Sequence, residues 1–137
     1  MLMDTGGNSG NQASVTLVRG LSLGEVRRAD FLRVWWRELR VGILCGAVLG
    51  TVAFGKIMLI DRLVMQNSDV TLLVGLVVAV TLAITVIIAK FVGSSLPILA
   101  SRIGLDPAVM ASPFITTTVD AISLTVYFLI ALPFFPK

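Results

Sequence analysis

The chain has 137 residues, of which 56% are hydrophobic and 14% are charged, and its mean hydropathy is +0.96. Soluble domains are about 45–50% apolar and about 25% charged, so this composition excludes an ordinary soluble domain and a disordered chain. The sequence contains no histidine and one cysteine, Cys45, which excludes imidazole metal sites, serine–histidine or cysteine–histidine catalysis and an intrachain disulfide. The composition therefore predicts an all-α integral membrane protein that is not an enzyme.

The first predicted elements are a glycine-rich stretch and a basic segment. Residues 1–24 are rich in glycine and amide side chains in their first half and have helical spacing in their second half. Residues 25–40 carry five arginines at broadly helical spacing. This pattern predicts an amphipathic interfacial connector, with Trp35 and Trp36 at the depth of the lipid headgroups. A solvated loop with a tryptophan anchor is the alternative for this segment.

Three apolar segments follow, at about residues 41–60, 70–100 and 107–132. Because about 20 helical residues cross a bilayer core, each segment predicts a transmembrane helix. In the first, Gly42, Gly46 and Gly50 recur on one face, where another helix can pack closely. The second exceeds the bilayer thickness, and Pro97 predicts a bend within it.

Charged residues at the ends of these segments predict the orientation of the chain. The pI is 9.6. Because the basic residues flank apolar spans, they indicate how the chain is oriented in the membrane rather than nucleic-acid binding. Segment 25–40 and the turn at 101–107, which carries Arg102, are therefore assigned to the cytoplasm. Loop 61–69, with Arg62 as its one basic residue, and the C-terminus are assigned to the outside.

Asp120 lies about midway along the third apolar segment. An ionised carboxylate at the centre of a membrane helix costs roughly 2.5–3.5 kcal/mol on insertion scales. The side chain is therefore expected to face a water-filled path or a cation. A structural ion pair is the first alternative, with Lys56 and Lys90 as candidate partners, and a protonated, hydrogen-bonded acid is the second.

Hydroxyl groups accompany this carboxylate on the predicted helix. Thr116, Thr117 and Ser123 stand at i−4, i−3 and i+3 from Asp120, which places them on its face of a helix. Oxygen ligands suit hard cations, and one carboxylate with hydroxyl groups favours Mg²⁺ that keeps several of its water molecules. Hydrogen bonding of the threonines to the preceding helical turn is the structural alternative.

Two long motifs occur in the sequence, one before and one after the first two apolar segments. The first is GGNSGNQA at residues 6–13, followed by VRGLSLGE at residues 18–25. The second is RIGLDPA at residues 102–108, followed by SPFITTTVD at residues 112–120. These motifs resemble those of the MgtE family of magnesium channels and transporters. They stand in the family's order with two apolar segments between them, and the resemblance covers essentially the whole chain.

The resemblance implies a fold and a function. It implies a homodimer in the cell membrane, with a pore along the subunit interface and five helices in each membrane domain. Residues 1–24 are then the end of a glycine-rich pore helix, and the chain is the C-terminal part of that domain, without its first helix and the cytosolic sensor region. The implied function is passive movement of Mg²⁺, the transported ion, down its electrochemical gradient.

The resemblance also implies site residues, and two other functions stay open beside it. The implied metal-binding residues are Asp120, Asn8, Thr116 and Thr117, and the implied pore-lining residues are Ser112, Gly7 and Gln12. The first alternative is a non-conducting assembly or scaffold fragment that packs with other helices through the three glycines of the first span. The second is a proton-coupled carrier that uses Asp120 as a relay.

Overall fold

Helices make up almost all of the computed structural model, which describes residues 1–67, 69–110 and 113–134. The four long helices are α1 (Leu2–Ser22), α2 (Phe31–Lys56), α3 (Leu72–Arg102) and α4 (Pro113–Ala131). Helix α2 continues as π-helical turns over Ile57–Val64, and short 3-10 turns lie at Arg28–Asp30 and Pro107–Met110. Because no strand occurs in these described ranges, the all-α prediction is confirmed.

Three helical stretches are long and apolar enough to cross a bilayer, as predicted. They are Phe31–Val64, Leu72–Arg102 and Pro113–Ala131. The bounds of the first differ from the predicted 41–60, because residues 31–40 form the opening turns of α2. No proline interrupts this helix, so it continues without a break from the basic segment into the span.

The third span begins later than the predicted residue 107. Gly104, with φ of +82°, lies just after the end of α3, and the carboxylate of Asp106 accepts a 2.9 Å hydrogen bond from the amide of Ala108. A short turn follows, and α4 starts at Pro113. Proline cannot donate to a preceding helical turn but fits the first position of a helix, so Pro113 is compatible with the opening turn of α4.

Helices α1 and α3 cross at a point where their backbones touch. A Cβ atom added to Gly93 would overlap the carbonyl oxygen of Gly10 and lie 2.8 Å from its carbonyl carbon. A Cβ atom on Gly10 would lie 3.1 Å from the carbonyl oxygen of Ala89. Helix α3 is one continuous helix here, with Pro97 inside it. Glycine is therefore required at position 93, and a side chain at position 10 would be tightly packed.

The glycine stripe of α2 lies against α3 of the same chain. A Cβ atom added to Gly46 would lie 2.8 Å from the carbonyl oxygen of Ala83, and one added to Gly50 would lie 3.0 Å from that of Ala79. For Gly42, the nearest atom would be the Cα of Ile87, at 3.3 Å. The two helices thus approach through small residues along three successive turns, as membrane helices commonly do.

The two tryptophans at the start of α2 face different surroundings. The Trp35 indole N–H donates to the Ser95 hydroxyl at 3.0 Å. Its ring packs on Phe91 with a centroid separation of 3.8 Å. Trp36 is 61% exposed. Helix geometry explains the difference, since adjacent residues lie about 100° apart and only one of them can face α3.

Gly93→Ala is expected to destabilise the protein, because its methyl group would collide with a backbone carbonyl that cannot rotate away. We expect the free energy of unfolding to fall by about 1–3 kcal/mol or more, measured as thermal unfolding in detergent. Gly55→Ala is the matched control, because a Cβ atom at Gly55 meets no atom within 4 Å. Equal unfolding midpoints for the two variants would contradict the close crossing.

Candidate cation site between the first and fourth helices

Glycines bring the backbone of α1 against α4. A Cβ atom on Gly6 would lie 3.1 Å from the Ser123 hydroxyl oxygen. On Gly7 it would lie 3.2 Å from the Thr116 methyl carbon and 3.7 Å from Oδ1 of Asp120. The glycine-rich stretch is therefore a helix whose small residues leave space for a carboxylate and a threonine of α4.

Asp120 presents a buried oxygen that has no protein donor. Its Oδ1 atom is inaccessible to solvent and makes no hydrogen bond within the described part of the chain. Buried polar atoms are nearly always hydrogen-bonded, and a carboxylate oxygen without a donor is costly. This atom therefore has capacity for a donor that the protein does not supply, such as a water molecule or the hydration shell of an ion.

Asn11 supplies a second oxygen of the same kind. Its amide nitrogen donates a 2.9 Å hydrogen bond to the Thr116 hydroxyl, which links α1 to α4 one turn from Asp120. Its amide oxygen is buried and unpaired among the described residues. Sequence reasoning assigned no role to this residue, although it stands four residues after Gly7 and hence on the same helical face.

Of the site residues predicted on α1, Asn8 and Gln12 lie on its exposed face, whereas Gly7 is buried against α4. Asn8 and Gln12 are exposed, and the Asn8 amide donates to the Asp4 carboxylate at 3.3 Å. Both residues border an open groove of about 530 Å³, whose other lining residues are Asn11, Val15 and Thr16. Through Asn11, this groove adjoins the contact with α4.

The hydroxyl groups near Asp120 do not form one strip. Thr117 is exposed, and its hydroxyl donates to the carbonyl of Pro113 at 2.9 Å. This is the hydrogen bond to the preceding helical turn that was the alternative to cation binding. Ser123 is buried and donates to the carbonyl of Val119 at 2.6 Å. Thr116 is the threonine that lies beside the carboxylate at the α1 contact. The predicted pore residue Ser112 lies outside the described residues.

Neither lysine proposed as an ion-pair partner of Asp120 takes that role. The Lys90 ammonium lies 3.6 Å from Oε2 of Glu38, and both side chains are less than 10% exposed. The Lys56 ammonium lies 2.8 Å from the Asp61 carboxylate. The structure therefore corrects the ion-pair alternative, because each lysine pairs with a different carboxylate.

Sequence reasoning missed the role of Glu38. Besides Lys90, its carboxylate binds the Arg37 guanidinium at 3.1 Å, so one buried carboxylate joins two cations. The signal that could have found it is its position four residues before Gly42, which continues the glycine stripe by one turn. A residue on that stripe faces α3, where an ionised side chain requires a partner.

The donor set suits a hydrated cation. Among the described residues, no group of three or more histidine, cysteine, aspartate or glutamate side chains could hold a metal ion. One carboxylate with neutral oxygens is a weak cage for a dehydrated ion. It can accept hydrogen bonds from the water molecules that Mg²⁺ retains. The fold and these oxygens together define a helical membrane protein with a candidate site for a hydrated cation.

Comparison with known proteins gives the family. The model of the MgtE family, described as a divalent cation transporter, matches residues 1–130. The chain is 35% identical over 131 residues to the magnesium transporter MgtE of Thermus thermophilus, covering 96% of the chain and 27% of that protein. It is 36% identical over 128 residues to MgtE of Bacillus subtilis, covering 93% of the chain and 27% of that protein.

A third relative gives the same result. The magnesium transporter MgtE of Enterococcus faecalis is 35% identical over 131 residues, again covering 96% of the chain and 27% of the relative. This chain belongs to the MgtE family, which is a family of transporters and not of enzymes. It spans about a quarter of the length of the curated relatives it matches.

The pairing of Lys90 with Glu38 can be tested by variants measured singly and together. Lys90→Met leaves the Glu38 carboxylate with Arg37 as its remaining cationic partner and is expected to lower the free energy of unfolding by about 1–3 kcal/mol. Adding Glu38→Gln should recover a large part of that loss in a denaturation experiment in detergent. Adding Asp120→Asn should recover none of it. Recovery with Asp120→Asn in place of Glu38→Gln would show that the assigned pair is wrong.

Proposed function

We propose that this chain forms part of a channel that passes Mg²⁺ across the membrane, with Asp120 binding the hydrated ion. The observation that carries the proposal is the buried Oδ1 atom of Asp120, which has no donor in the described part of the chain and faces Gly7 at the α1 contact. Membership of a divalent cation transporter family and the magnesium transport named for the relatives support the choice of ion.

Binding through the water shell fits the chemistry of the ion. Mg²⁺ gives up its water reluctantly and retains several water molecules in most protein sites. Those water molecules donate hydrogen bonds to the half-buried Asp120 carboxylate. A small opening of the contact between α1 and α4 would also admit water to its Oδ1 atom and to the Asn11 amide oxygen, which are buried and unpaired in the described part of the chain. The Asn11 amide also fixes the Thr116 hydroxyl, so the polar groups are oriented before the ion arrives. The site holds the ion without dehydrating it, which permits release.

The membrane potential supplies the driving force for inward movement. An elementary charge that crosses a membrane gains about 2.3 kcal/mol per 100 mV, and a divalent ion gains about twice that. A negative interior therefore draws Mg²⁺ inward without a coupled ion. We propose passive permeation on this ground.

The exposed face of α1 supports a dimer with a water-filled path. Asp4, Asn8, Gln12 and Thr16 recur every fourth residue, and all four are exposed. A polar helical face is unfavourable against lipid tails, because they provide no hydrogen bonds. We therefore propose that a second copy of the chain lies opposite this face and encloses water along it. The partners of the chain are then the lipid bilayer and a second copy of itself.

Charge at the two ends of the bundle supports an orientation. The Arg102 guanidinium lies 5.3 Å from the centroid of the Phe31 ring, so the basic start of α2 and the end of α3 share one end of the molecule. Positively charged segments are retained in the cytoplasm. We propose that this end is cytoplasmic and that loop 61–69 and the C-terminus lie outside the cell membrane.

The alternative function as a non-conducting assembly fragment required the glycine stripe of α2 to be available to other helices. The stripe at Gly42, Gly46 and Gly50 packs against α3 of the same chain, so a helix from elsewhere would have to displace α3 to reach it. The carrier alternative shares Asp120 with the channel and differs from it in the effect of pH on transport.

Mg²⁺ uptake into liposomes that contain this chain and a trapped magnesium indicator tests the proposal. Asp120→Asn removes a charged hydrogen-bond acceptor, which is commonly worth about 1.5–3 kcal/mol. We therefore expect uptake to fall by about tenfold to a hundredfold. Asp106→Asn is the matched control, because it neutralises an exposed carboxylate in a turn and should leave uptake unchanged.

Three results would contradict parts of this function. Absence of uptake by the unmodified chain would contradict a channel built from it. Full uptake by Asp120→Asn would show that transport does not require the carboxylate. Uptake by Asp120→Asn that has lost only its dependence on pH would favour the carrier.

A further inference from the structure

An open groove at the start of α2 gathers arginines on one helical face. Its volume is about 290 Å³, and its charged and aromatic lining residues are Arg33, Trp36, Arg37, Arg40, Glu25 and Asp30. The three arginines stand at i, i+4 and i+7, so they project from the same side of the helix. The proposed transport role uses none of these side chains.

The Arg37 guanidinium is held in place by a buried carboxylate. Oε1 of Glu38 accepts hydrogen bonds from Nε of Arg37 at 3.3 Å and from Nη2 at 3.1 Å. Oε2 of the same carboxylate faces the ammonium of the buried Lys90 at 3.6 Å. Since Lys90 balances the charge of Glu38, Arg37 keeps its positive charge at the groove in a fixed position.

Arg40 is the second arginine of the groove whose positive charge is not neutralised by a carboxylate in the described part of the chain. Arg33 pairs with Asp30 at 3.3 Å, and this contact compensates its charge. The Arg40 guanidinium lies 6.0 Å from the centroid of the exposed Trp36 ring and makes no ion pair within the described part of the chain. The groove therefore presents two arginines beside an aromatic ring, with the exposed Glu25 as the remaining carboxylate.

An apolar surface continues directly from this groove along α2. Leu44 and Val48, one and two turns beyond Arg40, are 68% and 62% exposed. They belong to the helical stretch that is apolar enough to cross a bilayer. An exposed tryptophan at the end of such a stretch is typical of the headgroup layer. The groove thus lies where a lipid's phosphate meets its acyl chains.

We propose that this groove binds the headgroup of an anionic phospholipid. Arg37 and Arg40 contact the phosphate, since the planar guanidinium matches phosphate oxygens in a two-point contact. Trp36 lies beside the glycerol region, and the acyl chains follow Leu44 and Val48. The continuous apolar surface favours a lipid over a free phosphate ion, which would use the arginines alone. This site is independent of the proposed transport function.

Fluorescence quenching in vesicles tests the site. Trp35→Phe leaves Trp36 as the single tryptophan of the two in the chain. In phosphatidylcholine vesicles, a minor fraction of brominated phosphatidylglycerol should quench Trp36 more than the same fraction of brominated phosphatidylcholine. Arg40→Gln in this background should lower the preference about fivefold, because each basic residue near a membrane surface contributes about that factor.

Arg19→Gln is the matched control, because Arg19 is exposed in the last turn of α1 and does not line the groove. It should leave the preference for phosphatidylglycerol unchanged. Equal quenching by the two brominated lipids would overturn the proposal, as would equal effects of Arg40→Gln and Arg19→Gln. Loss of the preference on adding soluble glycerol phosphate at millimolar concentration would indicate a free-anion site and would overturn the lipid assignment.

Discussion

The contact between the backbones of Gly10 and Gly93 is the constraint on which the rest of the structure depends. In a bilayer, helices gain little from burying apolar side chains, because lipid tails are equally apolar. Close backbone approach and the dispersion contacts that it permits take over that role. Here α1 is held so close to α3 that no side chain fits between them. The position of α1 across the bundle is therefore fixed by main-chain atoms, which cannot change rotamer.

That fixed position determines what α1 offers to α4. One turn before Gly10, Gly7 leaves space for Asp120, and one residue after it Asn11 reaches Thr116. The candidate cation site is thus assembled by the same helix crossing that determines the fold. The polar groups are oriented by helix packing, which lowers the free-energy cost of ordering them when a ligand binds.

Sequence alone singled out Asp120 as the candidate cation-binding residue, but it did not give the helix contacts around that residue. A lone carboxylate in an apolar span is conspicuous, so Asp120 could be identified from position alone. The glycine stripe of α2 could be identified from its spacing. Glu38 and Lys90 each look like residues at the end of a span, and their pairing depends on how two distant segments align in space. The roles of Asn11 and Gly93 likewise follow from helix contacts that a periodicity does not specify.

The π-helical turns at the end of α2 have a consequence for how the protein tolerates change in length. Their wider winding brings residues five apart onto one side, and Lys56 and Asp61 are paired in this way. The π-helical segment Ile57–Val64 holds more residues per turn than the α-helix before it. Its backbone therefore has room to rewind as an α-helix. Loss of a residue there could be absorbed by tighter winding at that end. The contact faces nearer the middle of the membrane would keep their alignment.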